Sequence, residues 1–213
     1  MVGKIIVTAV VAIGGAIYAG TALHRKHRKV KNQTVPEATN GMSILLCGAT
    51  GAGKSSILND ILGGEYAKCG EGKATTIGIQ GYESETGAVL YDTEGYTIEN
   101  ISDYKGMLDS FIRENGVTEV WYCVNAESKR FTDTDSQCIH FIRDVLKMKN
   151  LCVILTKADA VSFSELTDLH RSIGGHFPEI KVYSYTTKSQ DSDLYKNTMQ
   201  SDKEELLQRM TLN

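Results

Sequence analysis

The segment Gly48-Ala-Thr-Gly-Ala-Gly-Lys-Ser55 constrains the fold of this chain more than any other stretch. It matches the pattern G-x-x-x-x-G-K-[ST], in which glycines let successive backbone N–H groups converge on one anion. An apolar, strand-like run precedes it, and residues 54–63 have helical spacing, so a helix dipole would lie behind the anion. A glycine-rich turn without a ligand is the alternative, but it does not require this order of strand, loop and helix. We therefore expect a nucleoside triphosphate site.

Two side chains of this segment have expected roles at the phosphates. Lys54 is expected to reach the β- and γ-phosphates, and the Ser55 hydroxyl is expected to ligate Mg²⁺. The predicted nucleotide contacts in this part of the chain are Gly48, Ala49, Thr50, Gly51, Ala52, Gly53, Lys54, Ser55 and Ser56.

From Met42 onward, strand-like and helix-like runs alternate along the chain. Strands are predicted at 43–48, 77–83, 87–92, 118–124, 151–156 and 180–186, and helices at 54–63, 101–115, 134–148, 163–173 and 192–209. This alternation predicts an α/β fold, with a mostly parallel six-stranded sheet and helices on both faces. Only a short turn separates 77–83 from 87–92, so these two strands are predicted to form an antiparallel hairpin at one edge.

An acidic motif follows the strand-like run 87–91. In Asp92-Thr-Glu-Gly95, the Asp92 carboxylate is expected to hold Mg²⁺ through water, and the Gly95 N–H to meet the γ-phosphate. Glu94 is a candidate for orienting the attacking water. The alternative is a strand that merely ends in an acidic turn, which gives no reason for its place after a phosphate loop.

The motif Thr156-Lys-Ala-Asp159 closes the strand-like run 151–155. A carboxylate at Asp159 would accept hydrogen bonds from both the N1–H and the exocyclic amine of guanine, whereas adenine presents no such pair of donors. The stem of Lys157 would pack on the base. The motif therefore predicts GTP rather than ATP.

Two looser segments complete the expected site. Residues 63–76 contain several glycines and suit a mobile loop that becomes ordered when a γ-phosphate and Mg²⁺ are present. Thr76 is the first choice for closing over the metal, and Thr75 is the second. Near the end of the last predicted strand, backbone N–H groups at Thr186 and Thr187 would contact guanine O6.

Together these five segments resemble, in order and spacing, the five G motifs of Ras-like GTPases. The phosphate loop and the run 121–133 further resemble bacterial Era-like GTPases of the TRAFAC class, the group known as 50S ribosome-binding GTPases. The resemblance covers residues 42 to about 209 and implies a P-loop GTPase that binds GTP or GDP with Mg²⁺. The expected metal ligands are Ser55, Thr76 and Asp92, and the expected catalytic groups are Lys54, Thr76, Glu94, Gly95 and Tyr96.

Some positions depart from that family pattern. Tyr96 stands where Ras has a water-orienting glutamine, and a phenol is a poor substitute for an amide, so we expect slow hydrolysis. Thr156 replaces the usual asparagine of the base motif, and Thr186-Thr187-Lys188 replaces Ser-Ala-Lys. The RNA-binding KH domain of Era does not follow here, so ribosome binding is not an expectation.

Charge is unevenly distributed along the chain. There are 23 Lys or Arg and 26 Asp or Glu residues, and six of the basic ones, but no acidic one, lie within residues 1–31. The remainder therefore carries 17 basic and 26 acidic residues, a net charge of −9. Such an acidic domain is a poor candidate for non-specific nucleic-acid binding, which depends on neutralising phosphates. The five cysteines include no C-x-x-C pair, which favours a reducing compartment.

The N-terminal residues 5–23 contain no charged side chain. As a helix they would span about 28 Å, close to the hydrocarbon thickness of a bilayer. Residues 24–31 are strongly basic, and the positive-inside rule places such a cluster in the cytoplasm. A cleaved signal peptide is the alternative, but the apolar stretch is long for one and the basic cluster opposes translocation. We predict a single-pass transmembrane anchor at 1–24, a basic tether at 25–41 and a G domain at 42–213, in the cytoplasm beneath a bacterial inner membrane.

The leading hypothesis is a membrane-tethered GTPase that switches conformation with GTP and acts through an effector. The alternative is a GTP-gated scaffold with negligible hydrolysis, in which two G domains pair as in septin-like proteins. For the hydrolysing enzyme, Arg130 is a candidate for an arginine supplied across a G-domain dimer to speed hydrolysis, although a solvated charge beside helix 134–148 is the favoured explanation of this residue. A P-loop kinase or ATPase would need a base site that does not depend on Asp159.

Overall fold

The computed structural model describes residues 7–11, 36–69, 78–187 and 193–211 of this chain. The strands are β1 (Val7–Val11), β2 (Ser43–Gly48), β3 (Ile79–Glu83), β4 (Val89–Thr93), β5 (Glu119–Asn125), β6 (Leu151–Thr156) and β7 (Lys181–Ser184). The helices are α1 (Lys54–Leu62), α2 (Ile101–Glu114), α3 (Asp133–His140), α4 (Phe163–His176) and α5 (Asp193–Arg209).

These strands form one sheet in the order β1-β3-β4-β2-β5-β6-β7. Five of them run parallel to one another, namely β4, β2, β5, β6 and β7, whereas β3 is antiparallel to β4. The predicted α/β fold, with six mostly parallel strands and one antiparallel hairpin, is confirmed. A seventh strand, β1, is added beyond β3.

The described part of the N-terminus differs from the prediction. Val7–Val11 were expected within a transmembrane helix over 5–23, but they form an edge strand antiparallel to β3. β-branched valine and threonine suit an extended strand that pairs with the outer edge of β3. Residues 12–24 of the predicted anchor, and the tether up to residue 35, lie outside the described residues. In the parts of the chain that the structure describes, no helix is both long and apolar enough to cross a membrane.

The last residues of the predicted tether pack on the domain. The Tyr91 hydroxyl donates a hydrogen bond to the Pro36 carbonyl at 3.2 Å, and the Asn40 side-chain amide donates to the Met210 carbonyl at 3.0 Å. Residues 36–41 therefore lie against β4 and the end of α5, and this last part of the predicted tether is packed on the domain.

The parallel strands are buried on both faces, which explains their nearly continuous apolar sequences. In β2, Leu45 and Cys47 face a core formed with α2, α3 and α4, whereas Ile44 and Leu46 face a second core formed with α1 and α5. This two-sided burial holds β2 at the centre of the sheet and fixes the position where the phosphate loop begins.

The predicted helix 134–148 is divided into two parts. After α3 the chain continues as a wider π-helical segment, Phe141–Val145, in which the Leu146 N–H donates to the Phe141 carbonyl at 3.0 Å. The segment ends before Lys147, whose φ of 60° is left-handed. Sequence periodicity alone does not distinguish such a π-helical segment from an α-helix.

Candidate nucleotide-binding site

The phosphate loop begins where β2 ends and leads directly into α1. Gly48 has a φ of 138°, and a Cβ there would lie only 2.3 Å from the Cys123 carbonyl oxygen of the neighbouring strand. Gly53 precedes α1 with a φ of 81°, also in the left-handed region. The loop conformation therefore depends on these two glycines, and it places the N-terminus of α1 at the carboxyl edge of the sheet, where α/β folds bind ligands.

Lys54 supplies a buried positive charge in this loop. Its side chain is largely buried, and its ammonium donates to the carbonyls of Gly48 at 3.2 Å and Ala49 at 2.9 Å. Burial lowers the pKa of Lys54, while the nearby Asp92 carboxylate acts in the opposite direction. The charge is thus held within the phosphate loop itself.

Ser55 and Asp92, two of the three expected metal ligands, contact each other. The Ser55 hydroxyl donates to a carboxylate oxygen of Asp92 at 2.7 Å. Asp92 is fully buried and lies opposite Leu46 in the pairing of β2 with β4. Hydroxyl and carboxylate oxygens are ligands that Mg²⁺ prefers, so Ser55 and Asp92 would be suited to hold a magnesium ion. The ion would neutralise charge that develops on the phosphates.

The base motif reaches across to the phosphate loop. The Thr156 hydroxyl donates to the Ala52 carbonyl at 2.9 Å, and a Cβ at Gly53 would lie 3.0 Å from the same hydroxyl oxygen. Thr156, in place of the usual asparagine, therefore still joins the end of β6 to the loop that follows β2.

The base motif, Thr156–Asp159, and the segment that follows β7 meet beside this contact. The Thr186 hydroxyl donates to the Asp159 carboxylate at 2.8 Å, and the Ala158 N–H donates to the Tyr185 carbonyl at 3.1 Å. Lys157 has a left-handed φ of 50°. These contacts place the predicted guanine-recognising carboxylate at the same sheet edge as the phosphate loop.

A sequence model of the 50S ribosome-binding GTPase family matches residues 43–157, which is more than half of this chain. The chain belongs to this family. The match contains the phosphate loop, the Asp92–Gly95 motif and the first two residues of the base motif. The predicted resemblance to P-loop GTPases is therefore confirmed.

Individual relatives agree with this assignment. The probable GTP-binding protein EngB of Mycoplasmopsis synoviae (strain 53) is 24% identical over 154 residues, which cover 70% of this chain and 81% of that protein. Era of Aquifex aeolicus bound to GDP·AlF4⁻ superposes with a TM-score of 0.59 at 14% identity, over 80% of this chain and 57% of that one. Toc33 of Arabidopsis thaliana with Mg²⁺ and GMPPNP gives a TM-score of 0.56 at 16% identity, over 80% of this chain and 82% of that one. At these identities the structures show a shared fold, and this chain spans little more than half of Era.

In this member of the family, the Asp92–Gly95 turn lies directly on the phosphate loop. A Cβ at Gly95 would be 2.3 Å from the Thr50 Cα, so the turn and the loop are in backbone contact. The Glu94 carboxylate accepts a hydrogen bond from the Gly78 N–H at 3.0 Å, and it is thereby tied to the start of β3. Thr75 and Thr76, the candidates for closing over the metal, lie outside the described residues.

Tyr96 is turned into the protein core. Its hydroxyl donates to the Asp135 carboxylate at 2.6 Å and lies 3.0 Å from the Tyr122 hydroxyl. Burial, and then the Asp135 carboxylate, raise the pKa of Tyr96 well above its usual value, so the phenol remains a hydrogen-bond donor. This side chain was expected among the catalytic groups at the phosphate. The structure instead places its hydroxyl in the core, against Asp135 and Tyr122.

Several predicted residues fall at the margins of the site. Gly51 is exposed at the tip of the loop, Ser56 lies on the first turn of α1, and Thr187 is exposed after β7. Lys188 lies outside the described residues. A cavity of about 400 Å³ opens beside the loop, and Arg130 forms part of its wall together with Thr50 and Gly51.

Two residues of the site were not predicted from the sequence. Glu127 pairs with Lys157 at 2.9 Å, and Asp135 binds Tyr96. Thr132 and Asp135 form a capping box at the start of α3, a pattern that is visible in the sequence. That pattern predicts where the helix begins, but it does not reveal the tyrosines that lie against the carboxylate.

Proposed function

We propose that this chain binds GTP with Mg²⁺ and hydrolyses it slowly to GDP and phosphate, as a conformational switch. The observation that carries the proposal is the hydrogen bond from the Thr156 hydroxyl to the Ala52 carbonyl. It joins the base motif to the phosphate loop, so a single nucleotide can contact both. Asp159, held by Thr186, is then the group that selects guanine.

Slow hydrolysis is supported by the positions of the two candidate water-orienting side chains. The phenol of Tyr96 donates to Asp135 in the core, and the carboxylate of Glu94 accepts from Gly78. Each group would have to leave its present partner to orient water at a γ-phosphate. Catalysis would then depend on positioning and on the charges of Lys54 and Mg²⁺.

A substitution at Asp159 tests whether the bound base is guanine. In Asp159→Asn the carboxylate acceptor becomes an amide, so the preference should move from GTP toward xanthosine triphosphate. The affinities of both nucleotides would be measured by calorimetry, with Asp168→Asn on the exposed surface of α4 as the matched control. An Asp159→Asn variant that folds and keeps the GTP preference would remove the reason for choosing guanine.

We also propose that residues 5–23 tether this domain to a membrane, with the basic cluster 24–31 and the G domain in the cytoplasm. The support is an uncharged stretch of bilayer length followed by basic residues, each worth ~1 kcal/mol near anionic lipid. The strand Val7–Val11 is a competing placement for five of these residues. Carbonate extraction of cell membranes distinguishes the two: the full chain should remain in the pellet, whereas a fusion that replaces residues 1–31 should be released.

A GTP-gated dimer is the second candidate function. Arg130 borders the cavity beside the phosphate loop, and Ile98 at the same cavity is 81% exposed. A related structure at 17% identity and a TM-score of 0.55 concerns chloroplast translocon components whose dimerization is important for GTPase activity. Light scattering with GMPPNP and with GDP tests this candidate. A dimer that forms only with GMPPNP, with negligible phosphate release, would favour the scaffold over the slow GTPase.

A further inference from the structure

One buried carboxylate connects the phosphate site to a surface loop. Asp135 is 6% exposed and accepts four hydrogen bonds. One oxygen accepts from the hydroxyls of Tyr96 at 2.6 Å and Tyr122 at 2.9 Å, and the other accepts from the Thr132 N–H at 3.0 Å and the Thr132 hydroxyl at 2.6 Å. These donors belong to three separate segments, and they fill the acceptor capacity of one carboxylate.

Tyr96 contacts the phosphate loop through its backbone while its side chain contacts Asp135. The Tyr96 N–H donates to the Gly48 carbonyl at 3.3 Å, and the Thr50 N–H donates to the Tyr96 carbonyl at 3.0 Å. Gly95, the residue expected to meet the γ-phosphate, packs against Thr50. A shift of the Asp92–Gly95 turn would therefore pull or push the Tyr96 hydroxyl against the carboxylate.

On the opposite side, Asp135 holds the loop that carries Arg130. Thr132 is the N-cap of α3, and both of its donors bind the carboxylate. The loop before it is closed by the Ser128 hydroxyl, which donates to the Asn125 carbonyl at 2.7 Å. A movement of Asp135 is thus passed to a short, internally bonded loop at the wall of the 400 Å³ cavity.

We propose that Asp135 is a positioning residue that couples the nucleotide-dependent turn, through the Tyr96 hydroxyl, to the surface loop Ser128–Thr132. The inference rests on the proposed function, because it requires a turn that responds to GTP. It extends that function by naming a surface loop whose conformation would depend on the bound nucleotide.

Hydrogen–deuterium exchange of the full chain tests the coupling, at saturating GDP and at saturating GMPPNP with Mg²⁺. Tyr96→Phe removes the link to the turn. Tyr122→Phe is the matched control, because it removes another hydroxyl from the same carboxylate oxygen but leaves the turn attached. The wild-type chain and Tyr122→Phe should differ between nucleotides in deuterium uptake at residues 126–132. Tyr96→Phe and Asp135→Asn should lose that difference, and Asp135→Asn keeps the test available if Tyr96→Phe does not fold.

The outcomes separate this inference from the proposed function. No nucleotide-dependent difference at residues 126–132 in the wild-type chain would overturn the coupling, and so would a difference that survives in folded Tyr96→Phe. Loss of the difference in Tyr122→Phe as well would contradict the specific route through Tyr96. Calorimetry on the same samples decides the remaining case: a folded chain that binds neither GDP nor GMPPNP contradicts the proposed function and this inference together.

Discussion

The phosphate end of the site is built by the backbone, whereas the base end is built by side chains from different loops. At the phosphate end, two glycines with left-handed φ and a carbonyl-bound Lys54 determine the shape of the loop. At the base end, Asp159 is held by Thr186, and Lys157 pairs with Glu127. We therefore expect changes at the phosphate end to be severe and changes at the base end to be graded.

Gly48→Ala should give the largest effect. The added Cβ meets the Cys123 carbonyl oxygen at 2.3 Å in a backbone conformation that alanine avoids. We expect the free energy of unfolding to fall by ~3 kcal/mol or more, with loss of GTP binding. Urea unfolding measures the first and calorimetry the second. Gly106→Ala on the exposed side of α2 is the control, and it should stabilise the protein by ~1 kcal/mol. Equal effects of the two changes would contradict a backbone-determined loop.

Lys54→Ala should be next in size. Charge-assisted hydrogen bonds are worth ~1.5–3 kcal/mol, so GTP affinity should fall by about 10- to 100-fold. Lys149→Ala, which removes an exposed lysine, should leave the affinity unchanged. Fluorescence titration with a labelled GTP analogue makes this comparison. If both variants bind as the wild-type chain does, the lysine does not contact the phosphates.

Thr156→Val sharpens the comparison because it cuts the contact between the two ends of the site. Valine keeps the shape but leaves the Ala52 carbonyl without this donor, which should cost ~1–2 kcal/mol of stability and weaken GTP binding several-fold. Thr167→Val on α4 loses only a hydrogen bond to its own helix and serves as the control. Identical binding by both variants would mean that the two ends act independently.

Glu127→Gln should give the smallest effect. Its bond to Lys157 is largely exposed, and such pairs are worth ~0–1 kcal/mol and weaken with salt. GTP affinity should change by no more than a few-fold at low salt and not measurably at high salt. Titrations at two salt concentrations measure this. A large loss that persists at high salt would show that the base end is also rigidly determined.

The sequence predicted those features that depend on local spacing. Gly48–Ser55 required a strand, a tight loop and a helix in order, and all strands except β1 were located to within two residues. Asp92 and Thr156 were identified because each closes an apolar strand beside the phosphate loop. In a parallel sheet such strand ends meet at one edge, so the spacing alone brings these residues together.

Other features depend on contacts that spacing does not encode. The inward position of Tyr96 follows from Asp135, which lies 39 residues away in the chain. The pairing of Glu127 with Lys157 likewise joins two loops. Val7–Val11 are ambiguous for a different reason: a short apolar, β-branched run is compatible with a membrane helix and with an edge strand. Only the available partner, here the edge of β3, favours the strand.

Calorimetric titration of the wild-type chain with GTP and with ATP, each with Mg²⁺ and with EDTA, tests the central claim most directly. We predict that Mg²⁺ strengthens GTP binding through Ser55 and Asp92, and that ATP binds about 100-fold more weakly or worse because it lacks the donors for Asp159. A correctly folded chain that shows no magnesium-assisted affinity for GTP, or that binds ATP equally well, would contradict this account.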